Sequence, residues 1–243
     1  MKRGMAVAAV LAVSWWFVSA SYGYVETFDS GAAGWGTSLI NSTGYSWYQA
    51  PTYSPSGGNP GGYISGSVGT SVNSRLYSFD APSSAFGNLT GQTLTVDVDI
   101  SGTVTTAAGS GPAMARFYIG TDSSDYFIST NAFSISLNSS GGWATYTIPV
   151  VAADFMPWPG QTGTASFANV AANAISIGLL FTSADFSAAD DGTTLLGLMS
   201  TNGATISITN FGNPEPAPMP PAFLLFGPCV AALAVIRRKW KHH

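Results

Sequence analysis

The amino-acid sequence predicts an all-β fold: an antiparallel β-sandwich of jelly-roll type, flanked by an N-terminal signal helix and a C-terminal transmembrane helix. The first observation is a period of two, because residues 94–100 alternate apolar and polar side chains without interruption. The second is that clusters of glycine, serine and proline, such as residues 56–62, separate the alternating runs. The third is that long apolar segments occur only near the two ends of the 243 residues.

The N-terminal segment has the order of a secretory signal peptide. Lys2 and Arg3 supply a positive start, residues 5–17 are almost wholly apolar, and small residues lead up to Ala20. We therefore predict a signal peptide over residues 1–20, cleaved after Ala20, with Gly23 as the alternative position. Signal peptidase and the secretion machinery are then expected partners, and the rest of the chain up to the C-terminal segment lies outside the cytoplasm.

Residues 21–212 form the predicted sandwich body, which contains about a dozen short strands. The predicted strands are 25–28, 46–48, 63–68, 75–79, 94–100, 113–120, 126–129, 133–137, 144–150, 174–179, 194–199 and 204–209. We expect one polar face on each strand, which is typical of antiparallel sandwiches. A short helix is expected near residues 151–155 or 184–189. A body of this length, about 190 residues, suffices for one hydrophobic core, so we predict a single domain.

The charge of the body excludes two classes of partner. Its only cations are Arg75 and Arg116, against eleven carboxylates, so the body carries a net charge of about −9 while the whole chain carries −4. Nucleic acid and anionic membrane surfaces are recognised by cationic patches, which this body lacks. We therefore predict no nucleic-acid binding.

The residue types also exclude most catalytic mechanisms. The only histidines are His242 and His243, the only cysteine is Cys229, and the body has no lysine. A Ser-His-Asp triad, a cysteine nucleophile, a lysine Schiff base and a histidine-rich metal site are therefore excluded there, and we predict that the protein is not an enzyme. Asp97 and Asp99 share a strand face about 7 Å apart, a spacing compatible with glycosidase chemistry, but the pattern favours solvated charges on an open sheet face.

The last thirty residues have three parts. Residues 213–221 are rich in proline, residues 222–236 form an apolar run, and residues 237–243 are mostly basic. A helix over 222–236 would be roughly 22 Å long. The long basic side chains that follow it can extend to the lipid headgroups, and their positive charge favours a cytoplasmic C-terminus. We predict a transmembrane helix over 222–236.

This three-part order resembles the bacterial PEP-CTERM sorting signal, over residues 213–243. The motif residues are Pro214, Glu215 and Pro216, and the basic residues that stop the membrane segment are Arg237, Arg238 and Lys239. The resemblance implies an exosortase-like membrane protease or transpeptidase as a partner. It also implies a protein that is first anchored in the cell envelope and then lies at the cell surface or in the extracellular matrix.

The body is similar to laminin B-type domains, whose architecture carbohydrate-binding modules share. The motifs that carry the likeness are residues 28–35, 59–64, 79–82, 86–89 and 91–98. The resemblance implies a jelly roll and, by analogy of architecture, a glycan-binding role. Jelly-roll modules of this kind hold a structural Ca²⁺ with a carboxylate of the first strand, which implies Glu26 and Asp29 as calcium ligands here. The acidic loops 122–125 and 190–192 are the alternatives. No other cofactor is expected.

Aromatic side chains are the remaining candidates for contacts with a ligand. Trp47, Tyr48 and Trp158 lie in or beside predicted strand ends and loops, where exposed rings stack on sugars. Trp47 and Tyr48 are adjacent, so alternation places them on opposite faces of a strand; the alternative is that these rings fill the core. The resulting hypothesis is a non-catalytic module that binds a polysaccharide. The rival hypotheses are a structural matrix component without a specific ligand and an acidic-residue glycosidase.

Overall fold

The structure is a computed structural model that describes residues 24–83, 86–106, 112–121, 124–135, 142–159, 161–184, 186–187 and 196–213. Strands make up 51 % of these residues and helices 5 %, so the predicted all-β class is confirmed. In this part of the chain no helix is both long and apolar enough to cross a membrane. The predictions for the signal peptide over 1–20, for the sorting motif Pro214, Glu215 and Pro216, for the membrane segment 222–236 and for Arg237, Arg238 and Lys239 lie outside the described residues.

Sixteen strands are described, together with one short α-helix and one 3₁₀ helix. In chain order the strands are β1 (Tyr24–Glu26), β2 (Gly36–Ile40), β3 (Ser46–Gln49), β4 (Thr52–Ser54), β5 (Tyr63–Val68), β6 (Arg75–Asp80), β7 (Thr93–Ser101), β8 (Val104–Thr106), β9 (Ala113–Gly120), β10 (Tyr126–Ser129), β11 (Phe133–Ser134), β12 (Ala144–Pro149), β13 (Phe155–Pro157), β14 (Ser176–Ser183), β15 (Leu198–Ser200) and β16 (Ala204–Asn213). The 3₁₀ helix spans Ala152–Asp154 and helix α1 spans Phe167–Ala172.

The strands form two antiparallel sheets. Sheet A has the order β12-β7-β16-β5-β4, with β1 added beside β16. Sheet B has the order β13-β10-β9-β14-β6-β15-β8, with β2 beside β6, β3 beside β2, and β11 beside β9. The two sheets pack face to face with one hydrophobic core between them, which is the arrangement of a β-sandwich.

The core draws on the facing sides of both sheets. Sheet A contributes fully buried residues such as Ile64 and Leu94, and sheet B contributes Phe79 and Leu179. Phe211 lies in an aromatic cluster, because the rings of Trp35, Phe86 and Phe117 lie 4.8, 5.9 and 5.7 Å from its centroid. Burial of large apolar side chains stabilises this cluster, and edge-to-face ring contacts add to it.

The alternation of apolar and polar residues predicted most of the strands. Three strands, β5, β9 and β10, have the predicted bounds. Strands β2, β4, β8 and β13 were not predicted, because each is only three to five residues long and lies among turn-forming residues. The 3₁₀ helix falls within the predicted segment 151–155. Helix α1 was not predicted; it is six residues long, is capped by the Ser166 side chain and buries Val170 and Ala171.

The predicted polar face of each strand is found only in part on sheet B, whose outer face mixes polar residues such as Ser38, Ser78 and Asp80 with buried apolar ones. Nearly every residue of β9 and β14 is buried, because the outer face of this sheet carries an apolar cluster of its own. The buried members of this outer cluster are Ile40, Tyr118, Ile128, Leu180, Phe186 and Leu196. Consecutive apolar residues, 117–119 and 179–181, were the available signal, since strict alternation of apolar and polar residues fails where a strand is buried on both faces.

Candidate functional site

The outer face of sheet B contains a cavity of about 470 Å³, within the size range of small-molecule sites. Strands β2, β6, β9, β10 and β14 form its floor, and the segment after β13 forms one wall. Its lining residues are Ser38, Tyr77, Ser78, Asp80, Tyr118, Ser124, Tyr126, Trp158, Pro159, Gln161, Thr162, Ser176 and Leu180. The described lining therefore contains four aromatic side chains and a single carboxylate, and most of its other residues are polar.

Asp80 lies between two glycines in the sheet, and this spacing lets a tyrosine reach it. Its backbone partners are Gly36 on β2 and Gly178 on β14. An added Cβ at Gly178 would first meet the Phe79 carbonyl oxygen, and it would also stand 2.7 Å from Cε1 of the Tyr118 ring. The Tyr118 hydroxyl then donates a 2.6 Å hydrogen bond to Asp80 Oδ1. Only glycine at 178 permits this close approach.

Two further tyrosines lie over glycines on the same face. The Tyr126 ring covers its cross-strand partner Gly120, and an added Cβ at Gly120 would lie 2.5 Å from Tyr126 Cε1. The Tyr48 ring covers Gly36 and is 65 % exposed. Glycine has no side chain, so it leaves space on the sheet for each of these rings.

Tyr77 reaches the cavity because of a β-bulge. The pairing of β2 with β6 matches Ser38 with Ser78 and then Leu39 with Leu76, so Tyr77 is an extra residue without a partner on β2. A bulge redirects the side chain of the extra residue, and here it places the Tyr77 ring 6.1 Å from the Trp158 ring at the cavity.

Trp158 is held against the sheet by backbone hydrogen bonds. Its N–H donates to the Tyr126 carbonyl at 2.9 Å, and its own carbonyl accepts from the Gln161 N–H at 3.2 Å. The Gln161 side-chain oxygen accepts from the Tyr126 N–H at 2.8 Å, which leaves the amide N–H groups of Gln161 for other partners. The Trp158 ring lies 6.4 Å from Tyr118 and 6.1 Å from Tyr126, at interplanar angles of 88° and 64°. The Trp158 ring therefore packs edge-to-face against both tyrosine rings and lies over this face of sheet B.

Asp80 is the only charged residue among the described residues of the lining. The Ser38 hydroxyl donates to its Oδ2 at 2.7 Å, beside the Tyr118 hydroxyl on Oδ1. Burial, reinforced by the charge of Asp80, raises the pKa of both Tyr77 and Tyr118, so both are neutral phenols at neutral pH. The cavity thus combines one negative charge with uncharged rings.

The two arginines of the body lie elsewhere. Arg116 donates to the carbonyls of Ser129 and Thr130 at 2.8 and 2.6 Å, and its guanidinium lies 5.6 Å from the centre of the Phe186 ring. Arg75 donates to the Leu196 carbonyl at 2.7 Å and to the Asn41 carbonyl. Both are buried, and both fasten loops to the sheet, so neither offsets the charge of Asp80 in the cavity.

The structure separates the three aromatic residues singled out in the sequence. Trp158 forms a cavity wall, and Tyr48 lies at the rim because its ring covers the glycine that pairs with Asp80. Trp47 lies on the opposite face, packs against the main core and stacks with Tyr45 at 6.3 Å. Sequence reasoning did not identify Tyr77, Tyr118, Tyr126 or Asp80 as site residues; their pairing with sheet glycines depends on strand register, which is not visible along the chain.

Glu26 and Asp29 lie at the first strand, and their carboxylates accept internal hydrogen bonds. The Glu26 oxygens accept from the Tyr24 hydroxyl at 2.5 Å and the Phe28 N–H at 2.8 Å, and Asp29 accepts from the Thr27 hydroxyl at 2.7 Å. Within the described ranges no three His, Cys, Asp or Glu side chains come together as a metal site. The calcium assignment to Glu26 and Asp29 stays a prediction.

The interpretation of Asp97 as a solvated surface charge is wrong. Asp97 is 5 % exposed, and its oxygens accept from the Thr145 hydroxyl at 2.5 Å and from the Asn210 amide at 2.6 Å. The Asn59 side-chain amide, in the loop before β5, donates a hydrogen bond to Asp97 at 3.4 Å, and the Asn59 carbonyl accepts one from Asn210. Asp99, on the same face, is more open and accepts from the Gly142 N–H at 2.8 Å. Asp97 therefore fastens this loop to sheet A.

Comparison with known proteins finds no matching family model and no similar curated protein. The geometry of the cavity is therefore the basis for the function proposed below.

Proposed function

We propose that this protein is an exported, non-catalytic binding protein whose cavity on sheet B holds a sugar residue of a glycan. The observation that carries the proposal is the presence of four aromatic rings and the Asp80 carboxylate in the lining of one cavity. A pyranose has an apolar C–H face and polar hydroxyl edges, so it needs flat aromatic surfaces next to hydrogen-bonding groups.

The polar groups of the cavity suit the hydroxyls of a sugar. Asp80 retains acceptor capacity beyond the two hydroxyl donors that it already has, and the Gln161 amide supplies donors. Ser78 and Ser176 add hydroxyls that donate or accept. The exposed Tyr48 ring extends the site beyond the cavity, so a second sugar unit of an oligosaccharide has a surface on which to stack.

Binding rather than hydrolysis is proposed because glycosidases use two carboxyl groups that flank the bond to be cleaved. The described lining residues include one, Asp80. The rival proposal, a matrix component without a specific ligand, does not account for the position of three tyrosine rings over sheet glycines.

The proposal includes the route of delivery. We propose that the signal peptide over 1–20 directs export, that the body is a jelly roll, and that the PEP-CTERM-like segment over 213–243 anchors the protein until an exosortase-like partner acts. Tyr24 on β1 and Asn213 on β16 are paired, so the two terminal segments join the body at neighbouring strand ends. Fractionation of the producing cells, with mass spectrometry of the mature termini, tests this route; a full-length chain in the cytoplasmic fraction refutes it.

Binding is tested with the full chain in a polyoxyethylene detergent, whose headgroup is not a sugar. Calorimetric titration with a panel of neutral, amino and acidic oligosaccharides should find at least one ligand. Trp158→Ala should weaken its binding at least about tenfold, equivalent to about 1.4 kcal/mol. Trp143→Phe is the matched control, because Trp143 donates to the Gly57 carbonyl beside sheet A, away from the cavity. Absence of binding to every oligosaccharide would refute the glycan proposal.

A further inference from the structure

We infer that the sugar bound in the cavity carries a free, protonated amino group and that this ammonium lies against Asp80. The inference rests on the proposed glycan binding and goes further, because it names the chemical class of the sugar. It follows from three features of the lining: its charge, the geometry of its rings and the remaining acceptor sites of its carboxylate.

The charge of the described lining is −1. Asp80 is its single charged side chain, and the two arginines of the body are hydrogen-bonded to loop carbonyls outside it. A cationic ligand would neutralise Asp80, whereas a neutral ligand would leave its charge uncompensated in a partly enclosed site.

Asp80 has room for an ammonium group. A carboxylate offers about four acceptor positions, and the hydroxyls of Ser38 and Tyr118 occupy one on each oxygen. The hydroxyls fix the plane of the carboxylate and leave about two positions for a ligand. A hydrogen bond between an ammonium and a carboxylate is about twice as strong as one between neutral groups.

The rings supply a second attraction for a cation. The Tyr77, Tyr118, Tyr126 and Trp158 rings are 6.1 to 6.4 Å from their neighbours, at interplanar angles of 53° to 88°. A cation within about 6 Å of the face of such a ring is attracted by its quadrupole. The expected order of affinity is therefore an amino sugar first, its hydroxyl and N-acetyl counterparts next, and an acidic sugar last.

Three β-1,4-linked trisaccharides test this order, because they differ only at C2: glucosamine, glucose and N-acetylglucosamine. The full chain in polyoxyethylene detergent is titrated calorimetrically with each trisaccharide and with choline, an ammonium without a sugar. The titrations are run at about pH 6, where a sugar amine is protonated, and at about 0.15 M ionic strength. The glucosamine trisaccharide should bind at least about tenfold more tightly than the other two trisaccharides.

Two variants distinguish binding of the ammonium at Asp80 from the general attraction of an acidic protein for a cation. Asp80→Asn and Asp99→Asn change the net charge equally, but Asp99 lies on the outer face of sheet A. The preference for glucosamine should fall to within about twofold in Asp80→Asn and should persist in Asp99→Asn.

Each other outcome overturns a defined part of the proposal. Equal or tighter binding of the glucose or N-acetylglucosamine trisaccharide overturns the ammonium inference and leaves glycan binding in place. An equal loss of preference in both asparagine variants overturns it as well, since the attraction is then not local to Asp80. Binding of choline without any trisaccharide, or of no probe at all, overturns the ammonium inference. The glycan proposal is then refuted only if the wider oligosaccharide panel also shows no binding.

Discussion

Replacing Gly120 by alanine tests whether the Tyr126 ring needs a glycine beneath it in the sheet. The three atoms nearest to an added Cβ all belong to the Tyr126 ring, with Cε1 at 2.5 Å. Ordinary carbon–carbon contacts are about 3.5–4.0 Å, so the ring must retreat by about 1 Å or more. Overpacking of this kind costs about 1–3 kcal/mol, which lowers the melting temperature of a body of this size by about 2–12 °C.

The effect of Gly120→Ala on the free energy of unfolding should change sign when the Tyr126 ring is absent. In a Tyr126→Ala background nothing obstructs the new methyl group, and alanine is favoured over glycine in a strand interior by about 0.5–1 kcal/mol. A double-mutant cycle of Gly120→Ala with Tyr126→Ala should therefore show a coupling free energy of roughly 1.5–4 kcal/mol. Thermal unfolding of the full chain in detergent, followed by circular dichroism, measures all four proteins.

Gly87→Ala is the control for the loss of backbone freedom. No atom lies within 4 Å of an added Cβ at Gly87, and its φ is not in the left-handed region. Its effect should stay within about 0.5 kcal/mol. If Gly120→Ala is equally destabilising with and without the Tyr126 ring, the ring is not the reason for the glycine, and the account of the cavity floor is wrong.

Three other predictions follow from burial and titration. Phe211→Ala should lower the free energy of unfolding by about 3–5 kcal/mol, whereas Val72→Ala, at a position 43 % exposed, should change it by less than about 0.5 kcal/mol; similar effects in chemical denaturation would contradict the assigned core. Asp97→Ala should lower the free energy of unfolding by about 3 kcal/mol because it leaves the donors around Asp97 unsatisfied. Asp99→Ala should lower it by about 1 kcal/mol, and the reverse order would show that Asp97 is not the residue that holds the loop. Burial and Asp80 raise the pKa of Tyr118, so above about pH 10 the unfolded state loses this proton while the native state keeps it, and stability falls by up to about 1.4 kcal/mol per pH unit. Tyr118→Phe should remove that component of the slope, and an unchanged slope in alkaline denaturation would refute the assignment.

Part of the fold was predictable because its signals are local. The strands over 63–68, 113–120 and 126–129 could be assigned since side chains on a strand alternate between faces, whatever the strand later pairs with. The short strand β13 could not be assigned, because its three residues adopt strand geometry through pairing with β10. Trp158, in the segment after it, could be recognised as an aromatic outside a periodic run, but its neighbours in space could not.

The amino-acid sequence by itself determined the all-β class, the acidic body with two arginines, and the exclusion of histidine, cysteine and lysine chemistry there, since these depend on residue type and on spacing along one strand. Only the tertiary structure decided that the outer face of sheet B carries a second buried cluster, that Asp97 is buried, and that Asp80 lines a cavity together with four aromatic rings. The physical reason is register. Asp80, Gly178 and Tyr118 are neighbours because three strands from distant parts of the chain pair in one particular alignment. A shift of one residue would turn these side chains to the opposite face.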